Sequence, residues 1–125
     1  MPVVIVKYKG EHRIEVEEGT RLVHAVERAG VEIGHRCGGF AKCTTCRVEF
    51  HDGEPEKMTE AEATRLRQGE LTDVRLACQI PVEEDMTVRP VMVLEDQPWS
   101  DAGPEPEERI TPEPIWVTRS ALRGA

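Results

Sequence analysis

Four cysteines, Cys37, Cys43, Cys46 and Cys78, are the side chains of this sequence best suited to chemistry. Their spacing is C-x5-C-x2-C, followed after 31 intervening residues by the last. In a reducing compartment a disulfide does not persist, so thiols in this number read as metal ligands or reactive groups rather than covalent staples. Three belong to one ten-residue loop, Cys37-Gly-Gly-Phe-Ala-Lys-Cys43-Thr-Thr-Cys46, and the fourth to a distant strand end. Gly38, Gly39 and Ala41 place almost nothing between that backbone and a bound centre, so N–H groups can turn inward toward sulfur. Thr44 and Thr45 can add hydroxyl donors.

Three metal chemistries compete for such a set. A 4Fe-4S centre announces itself by a compact C-x2-C-x2-C-x3-C-P run, which is absent. Structural zinc typically uses two short C-x2-C knuckles, and only one is present, so zinc stands as the alternative reading. A 2Fe-2S cluster needs two thiolates on each iron and hydrogen-bond donors near its sulfides. It accounts for the loop composition as well as the cysteine count. All four cysteines are then both cofactor-binding and metal-ligating residues, holding one 2Fe-2S cluster.

Catalytic apparatus is missing from the rest of the chain. No G-x-S-x-G, P-loop, G-x-G-x-x-G or metalloprotease motif occurs, and His12, His24, His35 and His51 are scattered. The histidines read as structural or solvated groups, with His35 exposed in the loop before Cys37. The expectation is therefore a binding protein and not an enzyme.

The elements that must position these thiols follow from apolar periodicity. Residues 3 to 17 read as a hairpin, with a β-branched run at Val3, Val4, Ile5 and Val6, a turn at Lys9-Gly10-Glu11, and Ile14 and Val16 alternating with charged neighbours. Thr20 is placed to cap a helix whose Leu22, Ala25, Val26 and Ala29 share a face and which Gly30 ends. After the cysteine loop, Arg47 to Phe50 alternates as a strand, and Thr59-Glu60-Ala61-Glu62 has the form of a capping box opening a helix through about Arg67. Val74 to Ala77 and Met86 to Val91 read as further strands, Pro90 suggesting an edge or a bulge. The order ββαβαββ fits an α+β domain in which one main helix crosses a mixed sheet.

With 125 residues there is room for one core. We place the domain at residues 1–94 and a proline-rich C-terminal extension at 95–125. The extension holds five of the nine prolines and both tryptophans, favouring extended structure over helix or sheet. Its Trp99, Ile110, Ile115, Trp116, Val117 and Leu122 give it apolar surface to dock on the domain or on a neighbouring copy.

Charge limits the partners. A net charge of -8 repels phosphate backbones, which argues against nucleic acid. No apolar run approaches the roughly 20 residues of a bilayer span, and the N-terminus lacks a secretory pattern, so the expectation is a cytoplasmic chain with no membrane association. Residues 52–85, which follow the cysteine loop, carry four basic and ten acidic side chains. Arg36, Lys42 and Arg47 each adjoin a cysteine, which predicts a basic rim.

The block Cys37-Gly-Gly-Phe-Ala-Lys-Cys-Thr-Thr-Cys-Arg-Val, with Arg75-Leu-Ala-Cys-Gln-Ile80 and Met86-Thr-Val-Arg-Pro90, resembles the 2Fe-2S ferredoxins of the adrenodoxin and bacterial type. The plant type has four residues in the first gap, and this chain has five. The resemblance covers roughly residues 3–94 and implies a β-grasp fold and a one-electron carrier, with Cys37, Cys43, Cys46 and Cys78 matching the family's ligands. It implies as partners a ferredoxin reductase and an electron-accepting enzyme: an oxygenase, a P450-like enzyme or iron-sulfur assembly machinery. Mitochondrial members present an acidic helix to their partners. Glu60 and Glu62 fall on that stretch here, diluted by Thr64, Arg65 and Arg67. The alternative functions are a metal-stabilised structural or assembly module and an iron-sulfur sensor.

Overall fold

The computed structural model describes residues 1–119. Its first strands, β1 (Val3–Lys7) and β2 (Glu11–Glu15), form the expected antiparallel hairpin. Lys9 and Gly10 both adopt positive φ in the turn, which explains the glycine there. Val4 and Val6 point inward and are fully buried, whereas Val3, Ile5 and Lys7 on the other face are only half-buried.

Strand β3 (Thr20–Arg21) leads directly into helix α1 (Leu22–Arg28). Thr20 does not cap this helix: its hydroxyl donates to the Glu17 carbonyl at 2.7 Å, and Arg21 occupies the cap position without a side-chain cap bond. The reason is tertiary. Thr20 and Arg21 pair with β7 (Pro81–Val82), holding them in extended backbone up to the first helical turn. Leu22, Val23, Ala25 and Val26 bury the inner face of α1, which packs on β1 and on the 3-10 turn Ala77–Gln79.

Next come β4 (Arg47–Asp52), β5 (Lys57–Thr59), helix α2 (Glu60–Gln68), β6 (Arg75–Leu76) and, after β7, β8 (Met86–Pro90). The main sheet is mixed, in the order β2-β1-β8-β4-β6, with β1 and β8 parallel and the other neighbours antiparallel. Strand β8 is therefore central rather than an edge. Pro90 is tolerated because the pairing with β1 ends at Val88, so no strand seeks its missing N–H on that side. The register slip in the sheet lies between Phe50 and Asp52 of β4, away from Pro90.

Thr59 caps α2 as its sequence suggests, accepting from the Glu62 N–H at 3.1 Å. The reciprocal half of the capping box is not made. Glu62 is fully buried, and its carboxylate takes Arg75 Nε at 2.8 Å, Arg75 Nη2 at 3.1 Å and the Leu76 N–H at 2.8 Å. It thus fastens α2 to β6, the strand leading to Cys78, and is not part of an acidic docking face.

Beyond Leu94 the chain runs back over the cysteine loop, and β9 (Trp116–Thr118) adds to β5 as an antiparallel strand. Sheet pairing here differs from the extended structure that proline content suggests. Val117 packs against the core and Trp99 is half-buried. Ile115 and Trp116, expected to be buried, are instead exposed, the Trp116 ring lying under the Lys57 ammonium at 4.6 Å. Leu122 lies outside the described residues.

Candidate metal centre

The cysteine loop leaves α1 through Val31 and Ile33 and returns at β4. Cys46 and Cys78 are each 1% exposed, whereas Cys37 and Cys43 are half-buried toward the rim. Cys78 comes to the loop because the Ala77 N–H donates to the Cys46 carbonyl at 3.0 Å, joining the end of β6 to the start of β4.

The thiols fall into two pairs, Cys37 with Cys43 and Cys46 with Cys78, within each of which one sulfur sets the titration of the other. In the outer pair, the Cys43 thiol draws Cys37 down to about 4; burial opposes this, and the N–H groups of Lys42, Cys43 and Phe40 reinforce it. Cys43 is raised in return. In the inner pair, Cys46 holds Cys78 low against the effect of burial, with help from the Gln79 side chain and the Arg21 charge. One thiol of each pair, Cys37 or Cys78, is thereby shifted toward thiolate, the form that ligates metal, while burial and the paired sulfur push its partner, Cys43 or Cys46, up.

Pairing also discriminates between metals. Sulfurs around one tetrahedral zinc lie about 3.8 Å apart, from a Zn–S distance near 2.3 Å. Among the described residues, the one trio of His, Cys, Asp or Glu ligand atoms mutually within 4.8 Å is His24, Glu27 and Glu105, so no three of the four sulfurs are that close. Two separated thiol pairs suit two irons, each with two thiolates.

The inward donors expected of the loop are present. Lys42 N–H reaches Cys37 Sγ at 3.4 Å, and Thr45 Oγ1 lies 3.2 Å from Cys43 Sγ. Gly38, Gly39 and Ala41 all take positive φ, turning the loop tightly around the thiols. At Gly39 a Cβ would lie 2.6 Å from Arg21 Nη2 and 2.9 Å from Pro106, so glycine is required by space as well as by φ. Thr44, by contrast, is engaged by the Arg47 guanidinium rather than by sulfur.

Two expectations for the rim change. His35 is buried, not exposed: its Nδ1 lies 2.8 Å from the Pro104 carbonyl and its Nε2 3.3 Å from Glu27. Arg36 is matched by Asp101 at 3.4 Å and stacks on Trp99 at 5.3 Å, so its charge is largely compensated. Lys42 remains an exposed cation beside the exposed ring of Phe40.

Sequence reasoning misses Arg21, Gln79 and Thr111. Gln79 accepts from Thr59 at 2.7 Å and donates to the carbonyls of Gly39 at 3.2 Å and Thr111 at 2.6 Å. Thr111 Oγ1 donates to the same Gly39 carbonyl at 3.0 Å. Gln79 lies beside Cys78 in the Arg75–Ile80 motif, which offered a positional hint; Arg21 and Thr111 lie in stretches with no local pattern.

Residues 6–83 match the family described as a 2Fe-2S iron-sulfur cluster binding domain. Over 86 residues, 69% of the chain, the sequence is 31% identical to a component of the Na(+)-translocating NADH-quinone reductase of Pseudomonas paraeruginosa, of which it covers 21%. The chain thus spans about a fifth of the length of the curated relatives it matches. Among solved structures, the ISC-like 2Fe-2S ferredoxin FdxB of Pseudomonas putida superposes with a TM-score of 0.59 at 28% identity, covering 71% of this chain and 91% of that one. A chain of the covalent putidaredoxin reductase-putidaredoxin complex gives 0.57 at 28% identity, covering 70% and 96%.

Proposed function

Because the chain belongs to the family of 2Fe-2S iron-sulfur cluster binding domains, we propose that it works as a one-electron carrier whose single cluster is held by Cys37, Cys43, Cys46 and Cys78. The observation that carries the ligand assignment is the gathering of four thiols into two pairs, one at the rim and one in the core. When bound, a 2Fe-2S cluster accepts and releases one electron without making or breaking a substrate bond.

The chain's own residues do the rest. Cys46 and Cys78 anchor the centre to β4 and to the end of β6, and Cys37 and Cys43 face the surface. The N–H of Lys42 and the hydroxyl of Thr45 place donors on sulfur, which stabilises negative charge there and favours a small structural change on reduction. Phe40 and Lys42 stand exposed where a partner can approach. Such a carrier requires only transient docking, and we read the protein as a carrier rather than a catalyst.

A ferredoxin reductase is the proposed donor, supported by the likeness to a protein solved in complex with its reductase. The proposed acceptor is an oxygenase, a P450-like enzyme or iron-sulfur assembly machinery. Burial of Glu62 removes one carboxylate from the α2 face, so docking there relies on fewer charges than sequence suggests. No helix among the described residues is long and apolar enough to cross a membrane. Residues 1–94 are proposed as the electron-carrying domain and 95–125 as its extension, acting in the cytoplasm.

Iron and acid-labile sulfide analysis tests the ligand set. Purified protein should contain two of each per chain, and each single Cys→Ser variant should lose most of both. A fully loaded Cys→Ser variant at any of the four positions rejects that residue as a ligand.

A further inference from the structure

Arg21 is 0% exposed, and no carboxylate among the described residues forms an ion pair with it. Its guanidinium instead meets neutral oxygens. Nε and Nη2 donate to the Cys78 carbonyl at 2.9 and 2.6 Å, and Nη2 to the Gly39 carbonyl at 2.7 Å. Nη1 donates to the carbonyls of Glu107 and Arg109, both at 2.9 Å, and reaches Thr111 Oγ1 at 3.4 Å. A planar fork with five donors suits this clamp, which a lysine could not reproduce.

Hydrogen bonds to carbonyls do not cancel a buried charge, and a buried cation without an anion is strongly unfavourable. Burial indeed works against the charged form of Arg21, and the negative charge of Cys78 and Cys46 works for it. The Glu107 carboxylate acts in the same direction after the two thiols, which are the larger anionic influence beside it.

We propose that Arg21 is the buried counter-charge of the cysteine-held centre and, through the same guanidinium, the tie that fixes residues 107–111 across the cysteine loop. The proposal rests on the 2Fe-2S reading above. Reduction adds one electron, supplied by an external reductant, and moves no proton and breaks no bond at Arg21. Because the guanidinium stays protonated throughout, it favours the more negative, reduced state by a fixed amount and raises the midpoint potential independently of pH. Arg21 is a positioning residue: it touches the Cys78 carbonyl and not the sulfur.

The test compares the full-length wild type with R21Q, R21K and R36Q, each reconstituted with iron and sulfide and titrated with dithionite in the presence of redox mediators at pH 6, 7 and 8. For R21Q the ratio of reduced to oxidised protein at a fixed potential should fall at least tenfold, a midpoint lower by about 59 mV for one electron, equally at all three pH values. R21K keeps the charge and should stay within about threefold of wild type. R36Q removes an exposed, Asp101-paired cation next to Cys37 and should also shift by less than threefold. Loaded R21Q with an unchanged midpoint overturns the proposal, as does an R36Q shift as large as that of R21Q. If R21Q does not load, a loaded R21K with wild-type potential supports the charge requirement, and failure of both variants to load overturns it. Wild-type protein without iron and sulfide would instead defeat the carrier reading, leaving a result distinct from any of these.

Discussion

Replacing Cys78 with Ser removes half of the inner thiol pair, so Cys78→Ser should abolish the visible absorbance of the cluster and lower Tm, because the centre cross-links the loop to the end of β6. Optical spectra and thermal melts of the reconstituted variant check this; an unchanged spectrum and Tm would contradict it. Gly39→Ala is a harsher change than its size suggests. The new methyl meets Arg21 Nη2 at 2.6 Å in a backbone with φ of 89°, so both the loop and Arg21 must move, and cluster yield should fall several-fold. The cysteines drew attention in sequence because three of them fall within ten residues. Arg21 was not, because the oxygens it holds come from Gly39, Cys78, Glu107 and Arg109, and contacts so far apart along the chain leave no periodic trace.

Two elements depend on carboxylate contacts. Glu62→Ala should cost about 3 kcal/mol, since it removes the fully buried partner of the Arg75 guanidinium, leaving it Glu54 at 3.3 Å and the carbonyls of Pro55 and Lys57, and frees α2 from β6; denaturant unfolding of the variant measures the loss. His35 ties the start of the cysteine loop to the extension. Burial disfavours its imidazolium, but the Glu27 carboxylate and the Pro104 carbonyl outweigh that effect and its pKa ends raised above 6.5. A raised value means the folded state binds the proton more tightly than the unfolded one. The stabilisation is therefore complete below about pH 6.5 and is lost as pH rises through the folded pKa. The Tm difference between wild type and His35→Gln should accordingly be largest near pH 5.5 and shrink toward pH 8.5; a difference that grows with pH would contradict the assignment. At this scale the sequence revealed the longer features: the hairpin, the face of α1, the cap of α2, and β4 and β8. It hid β3, β5, β7 and β9, which have two or three residues each, too few for a pattern, and which exist through pairing with distant partners. Thr20 shows the same override, an apparent cap drawn instead into a strand.

The whole molecule is a small sheet domain whose C-terminal segment returns over its cysteine loop. Truncation after Leu94 removes the acceptors of Arg21 at Glu107 and Arg109, the Gln79 bond to Thr111 and the β9 pairing. It should lower Tm by about 5 °C or more while leaving the four cysteines able to assemble a centre; an equally stable truncated protein would mean that the extension contributes nothing to the fold. Composition predicted the single core, but the course of the extension depends on buried carbonyl contacts that proline and tryptophan content do not encode. The central claim, a one-electron 2Fe-2S carrier, is tested most directly by EPR-monitored reductive titration of the purified full chain with dithionite. The expected result is a red-brown, EPR-silent protein that takes up one electron per chain and gains a single paramagnetic signal. A colourless protein containing zinc, or one that accepts no electron, would contradict it.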